Sequence, residues 1–280
     1  LVVDVADMSS IAAAVKGFPE FDRLCLNAGG LAPSTKHEPS GATTTVVINA
    51  IGGAALVDGL LAAGKVRDGA RIVNIGSEVS RMILSFSGLK PNYFCFGEKD
   101  VDWAISHNYQ ACYCNCLPIR GQLGDYVNSK IVSQLHFAAI AKQNPNIYVI
   151  STSPGGVGGS FAERANFPVK QLMSTVPCMF RVLNVTHACS PKDATRIGVK
   201  RYVDVLTGPE IFPSGSMPMS GKTPPCCCCF WGANGPMVDN RPLVGYLGDE
   251  ALADAMCAKV REYEDKWAAS AGVSTMKMQR

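Results

Sequence analysis

The chain has little charge and few histidines, and both shortages exclude classes of protein. Its 280 residues carry 26 Lys and Arg against 23 Asp and Glu, for a net charge of +3. This excess is too small for the basic surface of a nucleic-acid-binding domain. The four histidines, at positions 37, 107, 136 and 187, show no metal-ligand spacing. We therefore expect no nucleic-acid partner and no metal site, and we interpret His136 as a packing residue.

The sequence has no uninterrupted membrane-length apolar run and no internal repeat. A membrane-spanning helix needs about 20 predominantly apolar residues. The nearest candidate, residues 46–63, contains Asn49 and Asp58, so we interpret it as a buried amphipathic helix and predict no transmembrane segment. Hydrophobic residues make up 47% of the chain. This content and length suit one domain, residues 1–280, with a sizeable core.

Short apolar stretches alternate with helix-like stretches along the first half of the chain. This alternation is typical of βαβ units and predicts a parallel sheet in an α/β fold. Ligands of such sheets bind at the carboxyl ends of the strands, where Asp4, Asn27, Ser77 and Pro154 would fall. Strands are predicted at residues 1–5, within 23–30 running into a small-residue turn, within 71–77 with Ser77 just past the end, and within 148–156 up to the Pro154-Gly155 break. The predicted helices are residues 9–16, 45–63 and 126–142.

Tyr126 and Lys130 form the most informative pair in the chain. They are four residues apart, so on a helix they share one face. An ammonium beside a phenol favours the phenolate and lowers its pKa from about 10. Such a tyrosine can give or take a proton near neutral pH, which is general acid–base chemistry.

These residues, in this order, resemble the short-chain dehydrogenase/reductase family over roughly residues 1–160. The resemblance rests on six features at fixed positions. They are Asp4-Val5, Asn27-Ala28-Gly29, Asn49, Ser77, Tyr126 with Lys130, and Pro154-Gly155.

The resemblance implies hydride transfer between a nicotinamide cofactor and a carbonyl, an alcohol or an activated double bond. Tyr126 would be the general acid for reduction. Lys130 would lower the pKa of Tyr126 and hold the nicotinamide ribose. Ser77 would bind the substrate oxygen, and Asn49 would hold a water that links Lys130 to solvent.

The resemblance also implies a set of cofactor-binding residues. The cofactor is NADP or NAD, and only the subgroup likeness below favours NADP. Ser160 could supply a hydroxyl that the family places at the position of Gly159. The implied cofactor-binding residues are Asp4, Val5, Asn27, Ala28, Gly29, Tyr126, Lys130, Pro154, Gly155 and Ser160.

The sequence lacks the family's glycine-rich turn, Thr-Gly-x-x-x-Gly-x-Gly, which cradles the pyrophosphate at a helix N-terminus. It begins where the family has its third strand. We therefore predict a doubly wound parallel sheet (Rossmann-like) that lacks its first βαβ unit, and we interpret the chain as an N-terminally truncated fragment. Activity of the fragment stays open, and a non-catalytic scaffold or inactive fragment on the same fold is the alternative.

A long segment separates Ser77 from Tyr126 and suggests a subgroup. Residues 82–125 would form an insert near the active site, residues 159–245 a substrate lid, and residues 246–280 a C-terminal helix and tail. The insert is similar to that of retinol dehydrogenases and of light-dependent protochlorophyllide reductases, and the late region resembles that of the second group. These reductases carry a cysteine where this chain has Gly156. The substrate would be a large apolar small molecule, and the compartment would be the cytoplasm, or the chloroplast if the reductase likeness holds.

Two further features leave alternatives open. The chain has twelve cysteines, among them Cys112, Cys114, Cys116 and the run 226–229. Free thiols are the simplest interpretation, beside a metal site, lipidation or a redox switch. The apolar residues that follow Tyr126 on its helix would suit a homo-oligomer interface or the protein's own core. They are Ile131, Leu135 and Ala138.

Overall fold

The structure is a computed structural model that describes residues 2–32, 36–77, 80, 96–107, 121–155, 191–220, 237–239, 241–242 and 244–273. Its strands are β1 (Phe21–Leu26), β2 (Val66–Ile75), β3 (Tyr148–Thr152), β4 (Pro218–Ser220) and β5 (Met237–Asp239). Its helices are α1 (Met8–Gly17), α2 (Thr44–Val46), α3 (Gly52–Ala62), α4 (Val101–Ser106), α5 (Gly121–Gln143), α6 (Pro191–Thr207) and α7 (Glu250–Ser270). A π-helical turn, Val47–Ile51, joins α2 to α3, and 3-10 turns cover Glu98–Asp100 and Gly245–Leu247.

Strands β1, β2 and β3 form a parallel sheet in that order. The register places Asn74 beside Leu26 on one side and beside Ser151 on the other. The predicted parallel sheet is thus confirmed. Strands β4 and β5 pair antiparallel in a separate two-stranded sheet.

Helices pack on both faces of the sheet. Successive side chains of a strand point to opposite faces, so neighbouring residues of β2 belong to different cores. Ile72 belongs to the main core cluster, which includes residues of α1, α3, α5 and α7. Its neighbour Val73 lies in a second cluster, together with Ile150 and Val205 of α6. This arrangement confirms the doubly wound, Rossmann-like architecture.

The strand predicted at residues 1–5 is wrong. Residues 2–4 have no regular structure, and a turn follows at Val5 and Ala6. The Asp4 carboxylate accepts a 2.9 Å hydrogen bond from the Ala6 backbone and so stabilises this turn. A strand needs a neighbour to pair with, and among the described residues β1 pairs only with β2. Helix α1 begins immediately afterwards, capped by Asp7.

The segment Thr44–Ala62 forms the buried helical run that the sequence predicts at 45–63. By length and composition alone it could cross a membrane, but 67% of its most apolar window is buried inside the protein. Val46, Ile51, Val57 and Leu60 are all buried in the main core. The run therefore behaves as a core helix of this fold.

The described parts of the predicted insert, residues 82–125, and of the predicted lid, residues 159–245, contain helices and strands. Helix α4 lies within residues 82–125, and α5 begins at Gly121, earlier than predicted. Helix α6, within residues 159–245, packs on the sheet, and Arg71 of β2 donates a 2.6 Å hydrogen bond to Gly208 just after it. Helix α7 lies within residues 246–280, where the sequence predicts a C-terminal helix and tail. Division of the chain into insert, lid and tail stays a prediction.

Candidate active site

The carboxyl ends of the three parallel strands bring most of the predicted residues to one edge. Asn27 follows β1, Ser77 follows β2 by two positions, and Pro154 follows β3 by two positions. Because the strands are adjacent and parallel, these residues share the edge at which ligands bind in such sheets. Asp4 does not end a strand.

The N-terminal segment still lies near this edge. The backbone carbonyl of Val5 lies so close to Gly52 that a Cβ at position 52 would overlap it. Gly52 directly follows the π-helical turn that carries Asn49. Val5 therefore lies beside the helix of the predicted site, and its predicted contact with the adenine stays a prediction.

Helix α5 places Tyr126 and Lys130 on one face, as their spacing predicts. The Lys130 ammonium lies 5.6 Å from the centre of the Tyr126 ring. The Ser77 hydroxyl hydrogen-bonds the Tyr126 phenol oxygen. Three side chains from β2's end and α5 thus form one cluster of proton-bearing groups.

The electrostatics of this cluster differ from the expectation for Tyr126. Burial raises the pKa of Tyr126 to about 12, and the hydrogen bond from Ser77 offsets only part of that rise. Burial also lowers the pKa of Lys130 to about 8. The expected lowering of the phenol pKa by the ammonium is therefore wrong for this state of the protein. Desolvation of both groups outweighs their mutual interaction.

Asn49 holds the turn after β1. Its Nδ2 donates to the carbonyls of Gly30, at 2.7 Å, and Thr45, at 2.8 Å. Its Oδ1 accepts a 2.9 Å hydrogen bond from the Gly30 backbone. A π-helical turn inside a helix often marks a functional position. The predicted role of Asn49 in holding a water stays a prediction beside this observed structural one.

The backbone at Gly29 lies very close to the Asn49 side chain. A Cβ at position 29 would lie 2.5 Å from Asn49 Oδ1 and 3.7 Å from the Lys130 ammonium nitrogen. Only glycine fits this approach without displacing Asn49. Asn27 and Ala28 precede it in the same exposed turn. The Asn-Ala-Gly motif is thus brought against Asn49 and Lys130.

The Pro154-Gly155 segment directly follows β3 and Ser153. Gly155 has a φ of 81°, a left-handed conformation that favours glycine. Its backbone donates a 3.1 Å hydrogen bond to the Ser153 hydroxyl. The remaining predicted cofactor residue, Ser160, lies outside the described residues, as do Gly156 and the cysteines at 112, 114, 116 and 226–229.

A buried polar network beneath the site was missed in the sequence. Asn74 of β2 donates a 3.0 Å hydrogen bond to Ser151 of β3 and accepts a 3.0 Å hydrogen bond from Ser133 of α5. Asp125, next to Tyr126, accepts a 2.5 Å hydrogen bond from Thr43, which caps α2. The available signal was a polar residue inside each apolar strand, Asn74 and Ser151. The Ser133 bond fixes α5 against the sheet, and the Thr43 bond fixes the beginning of α5 against α2. Together they position Tyr126.

Comparisons with known proteins are informative only at the level of the fold. No protein-family model and no curated protein matches the chain. A solved structure described as an uncharacterized protein from Mycobacterium paratuberculosis is similar, at 17% sequence identity and a TM-score of 0.57, over 94% of this chain and 74% of that one. At this identity the likeness shows a shared fold.

Other similar structures include a short-chain dehydrogenase/reductase and a ketoreductase. One is a mutant enzyme from Serratia marcescens, at 18% identity and a TM-score of 0.47, over 78% of this chain and 72% of that one. Another is an angucycline C-6 ketoreductase solved with NADP, at 14% identity and a TM-score of 0.46, over 77% of this chain and 70% of that one. The names of these neighbours give no support to the protochlorophyllide reductase or retinol dehydrogenase subgroup.

Proposed function

We propose that this protein is an NAD(P)(H)-dependent oxidoreductase of the short-chain dehydrogenase/reductase type. The observation that supports it is the cluster of Ser77, Tyr126 and Lys130 at the carboxyl edge of a parallel sheet. Its substrate would be a large apolar molecule with a carbonyl or alcohol group. Residues 82–125 and 159–245 would shape the pocket for that substrate.

Each side chain of the cluster has a role that its environment supports. Tyr126, with a pKa of about 12, is protonated near neutral pH and can give a proton to the oxygen of a carbonyl under reduction. The Ser77 hydroxyl, already bonded to that phenol, would hold the same oxygen. Lys130 would supply the positive charge that stabilises the phenolate left behind.

The residues beside the cluster fit a nicotinamide cofactor. The exposed Gly29 backbone lies directly against the Asn49 amide, and a Cβ there would lie 3.7 Å from the Lys130 ammonium nitrogen. The Lys130 ammonium gives one of its three donors to the Ile75 carbonyl, which leaves donors for the ribose hydroxyls. Tyr126, Lys130, Asn27, Ala28, Gly29, Pro154 and Gly155 would hold the nicotinamide half, and Asp4 and Val5 the adenine half. Ser160, outside the described residues, would supply a further hydroxyl to the cofactor. The cofactor, NADP rather than NAD in this proposal, supplies the hydride.

The test is cofactor binding followed by turnover with the purified chain. Isothermal titration with NADPH and with NADH should show binding of at least one, tighter for NADPH. Oxidation of the bound nucleotide should then follow addition of bulky apolar ketones or aldehydes. Failure to bind either nucleotide would favour the non-catalytic scaffold, and binding without turnover across a broad carbonyl panel would favour an inactive fragment.

The protochlorophyllide reductase-like alternative makes a separate prediction. Reduction of a tetrapyrrole double bond by that type of enzyme depends on light. Equal turnover in light and darkness, on carbonyl substrates only, would exclude it. A cytoplasmic or chloroplast location and a homo-oligomeric state remain proposals. Ile131 and Leu135 are buried in the chain's own core.

A further inference from the structure

A cluster of three potential metal ligands lies between three helices of the main core. Asp58 of α3, His136 of α5 and Glu264 of α7 place their ligand atoms within 4.8 Å of one another. Asp58 and His136 are buried, and Glu264 is half-buried. The three residues are remote in sequence, so no local spacing could reveal them.

The histidine of this cluster lacks the partners that a buried imidazole normally has. His136 is 1% exposed. Neither of its ring nitrogens has a hydrogen-bond partner among the residues that the structure describes. A buried polar atom without a partner costs about 1–3 kcal/mol, so such atoms in native proteins call for an explanation, such as a bound ion.

The protonation state of the histidine suits a metal ligand. Burial lowers the pKa of His136 to about 4, with the positive charge of Arg261 adding to that effect and the Asp58 carboxylate opposing it. The imidazole is therefore neutral near pH 7 and keeps a lone pair to donate. Neutral imidazole is the form that binds zinc and other transition metals.

An existing ion pair at the cluster is compatible with a metal. Arg261 donates to both oxygens of Asp58, at 2.7 Å and 3.3 Å. A carboxylate offers about four lone-pair sites, so a bidentate arginine leaves room for a further partner. Carboxylates that ligate metals are themselves commonly held by hydrogen bonds of this kind. Arg261 would thus orient Asp58 toward the ion.

We propose that Asp58, His136 and Glu264 form a zinc-binding site that ties α5 to α3 and α7. One imidazole nitrogen and two carboxylates are a donor set that zinc accepts, with a water in the fourth position. The two carboxylates bring two negative charges to the ion, one of which the Arg261 guanidinium offsets. Bond lengths of 2.0–2.1 Å require tetrahedral donors about 3.4 Å apart, so the side chains would have to converge by at most about 1.4 Å.

This site is distinct from the proposed active site, although helix α5 carries both. His136 lies six positions beyond Lys130 on that helix. Zinc would therefore act by fixing the helix that carries Tyr126 and Lys130, without contacting substrate. The sequence expectation of no metal site and of a packing role for His136 would then be replaced.

The experiment is a titration of the metal-free chain with Zn²⁺, after alkylation of accessible thiols so that cysteines do not compete. We expect one zinc per chain. Glu264→Gln and His136→Gln should each weaken binding at least about tenfold. Glu262→Gln is the matched control, because Glu262 lies on the same helix but is exposed and paired with Lys259 and Lys266. Its zinc affinity should equal that of the wild type.

A second readout does not depend on how well the variants fold. Co²⁺ bound to the unmutated chain should give visible d–d bands of tetrahedral intensity without a sulfur-to-cobalt charge-transfer band. Absence of tight binding, a thiolate-type cobalt spectrum, or equal affinity in folded Glu264→Gln and wild type would each overturn the proposal. None of these results depends on oxidoreductase activity, so the two proposals can fail separately.

Discussion

The Lys130 ammonium donates a 2.8 Å hydrogen bond to the backbone carbonyl of Ile75, the last residue of β2. This bond joins the helix that carries Tyr126 to the strand that precedes Ser77. It holds the ammonium near the phenol while burial depresses the lysine's own pKa. The positive charge of the site is therefore one that ordinary changes of pH can remove.

Carbonyl reduction should weaken as Lys130 loses its proton. Burial lowers the Lys130 pKa from 10.5 to about 8, so the ammonium is present below pH 8 and is lost above it. We expect kcat/KM to fall as the pH rises through about 8, which gives the pH profile a descending limb there. In Lys130→Met the activity should drop by about 10²-fold or more, without that limb.

The control for this profile lies on the same helix. Lys142 is exposed and paired with Glu250 and Asp254, so Lys142→Met should keep both the rate and the limb. A wild-type profile flat from pH 7 to 10, or a limb that persists in Lys130→Met, would show that Lys130 does not set it.

In the turn after β1, an added methyl group should be tolerated at Gly30 but not at Gly29. Gly29→Ala puts a Cβ 2.5 Å from Asn49 Oδ1, and overpacking of this kind costs about 1–3 kcal/mol. It should also weaken NADPH binding, because the displaced Asn49 borders Lys130. Urea unfolding and nucleotide titration measure the two effects.

Gly30→Ala is the matched control, since no atom lies within 4 Å of a Cβ at that position. Its unfolding free energy should stay within about 0.5 kcal/mol of the wild-type value. Similar losses in the two variants would mean that the turn is sensitive for a reason other than the approach to Asn49.

His136 should make the metal-free protein sensitive to acid. Its pKa falls from 6.5 to about 4 on folding, so between these values the unfolded chain binds a proton that the folded chain does not. The contribution is fully present above pH 6.5 and is lost as pH falls toward 4, for a change of about 3 kcal/mol. Urea unfolding in a chelator should show this loss in the wild type.

The comparison variant is His136→Gln, which keeps a polar side chain but cannot titrate in this range. Its stability should depend less steeply on pH between 6.5 and 4. Parallel pH dependences for the two proteins would indicate that His136 is protonated in the folded state as readily as in the unfolded chain.

Much of the fold could be predicted because its signals are local. The apolar runs ending at Leu26, Ile75 and Thr152 became adjacent parallel strands, and the helices followed their periodicity. The residues around Asp4 also predict a strand. A strand forms only where a second strand is available to pair with it, and a short stretch of sequence does not reveal that. The π-helical turn at Asn49 has no such local signal.

The site was predicted as a set of residues but not in its energetics. Spacing places Tyr126 and Lys130 on one face, yet only the packing around them decides whether attraction or desolvation dominates each pKa. The Asn74–Ser151 bond depends on strand register, and the cluster at His136 depends on how three helices meet. Such long-range relations have no signature within a short stretch of sequence.

The most direct test of the central claim is the rate of carbonyl reduction by Tyr126→Phe, measured beside its NADPH affinity. Loss of the phenol proton should lower the rate by about 10²–10⁴-fold and leave nucleotide binding nearly unchanged. Tyr148→Phe is the control, because its hydroxyl donates to the Phe212 carbonyl away from the cluster, and it should remain active. Turnover by Tyr126→Phe at the wild-type rate would contradict the assignment of Tyr126 as the proton donor.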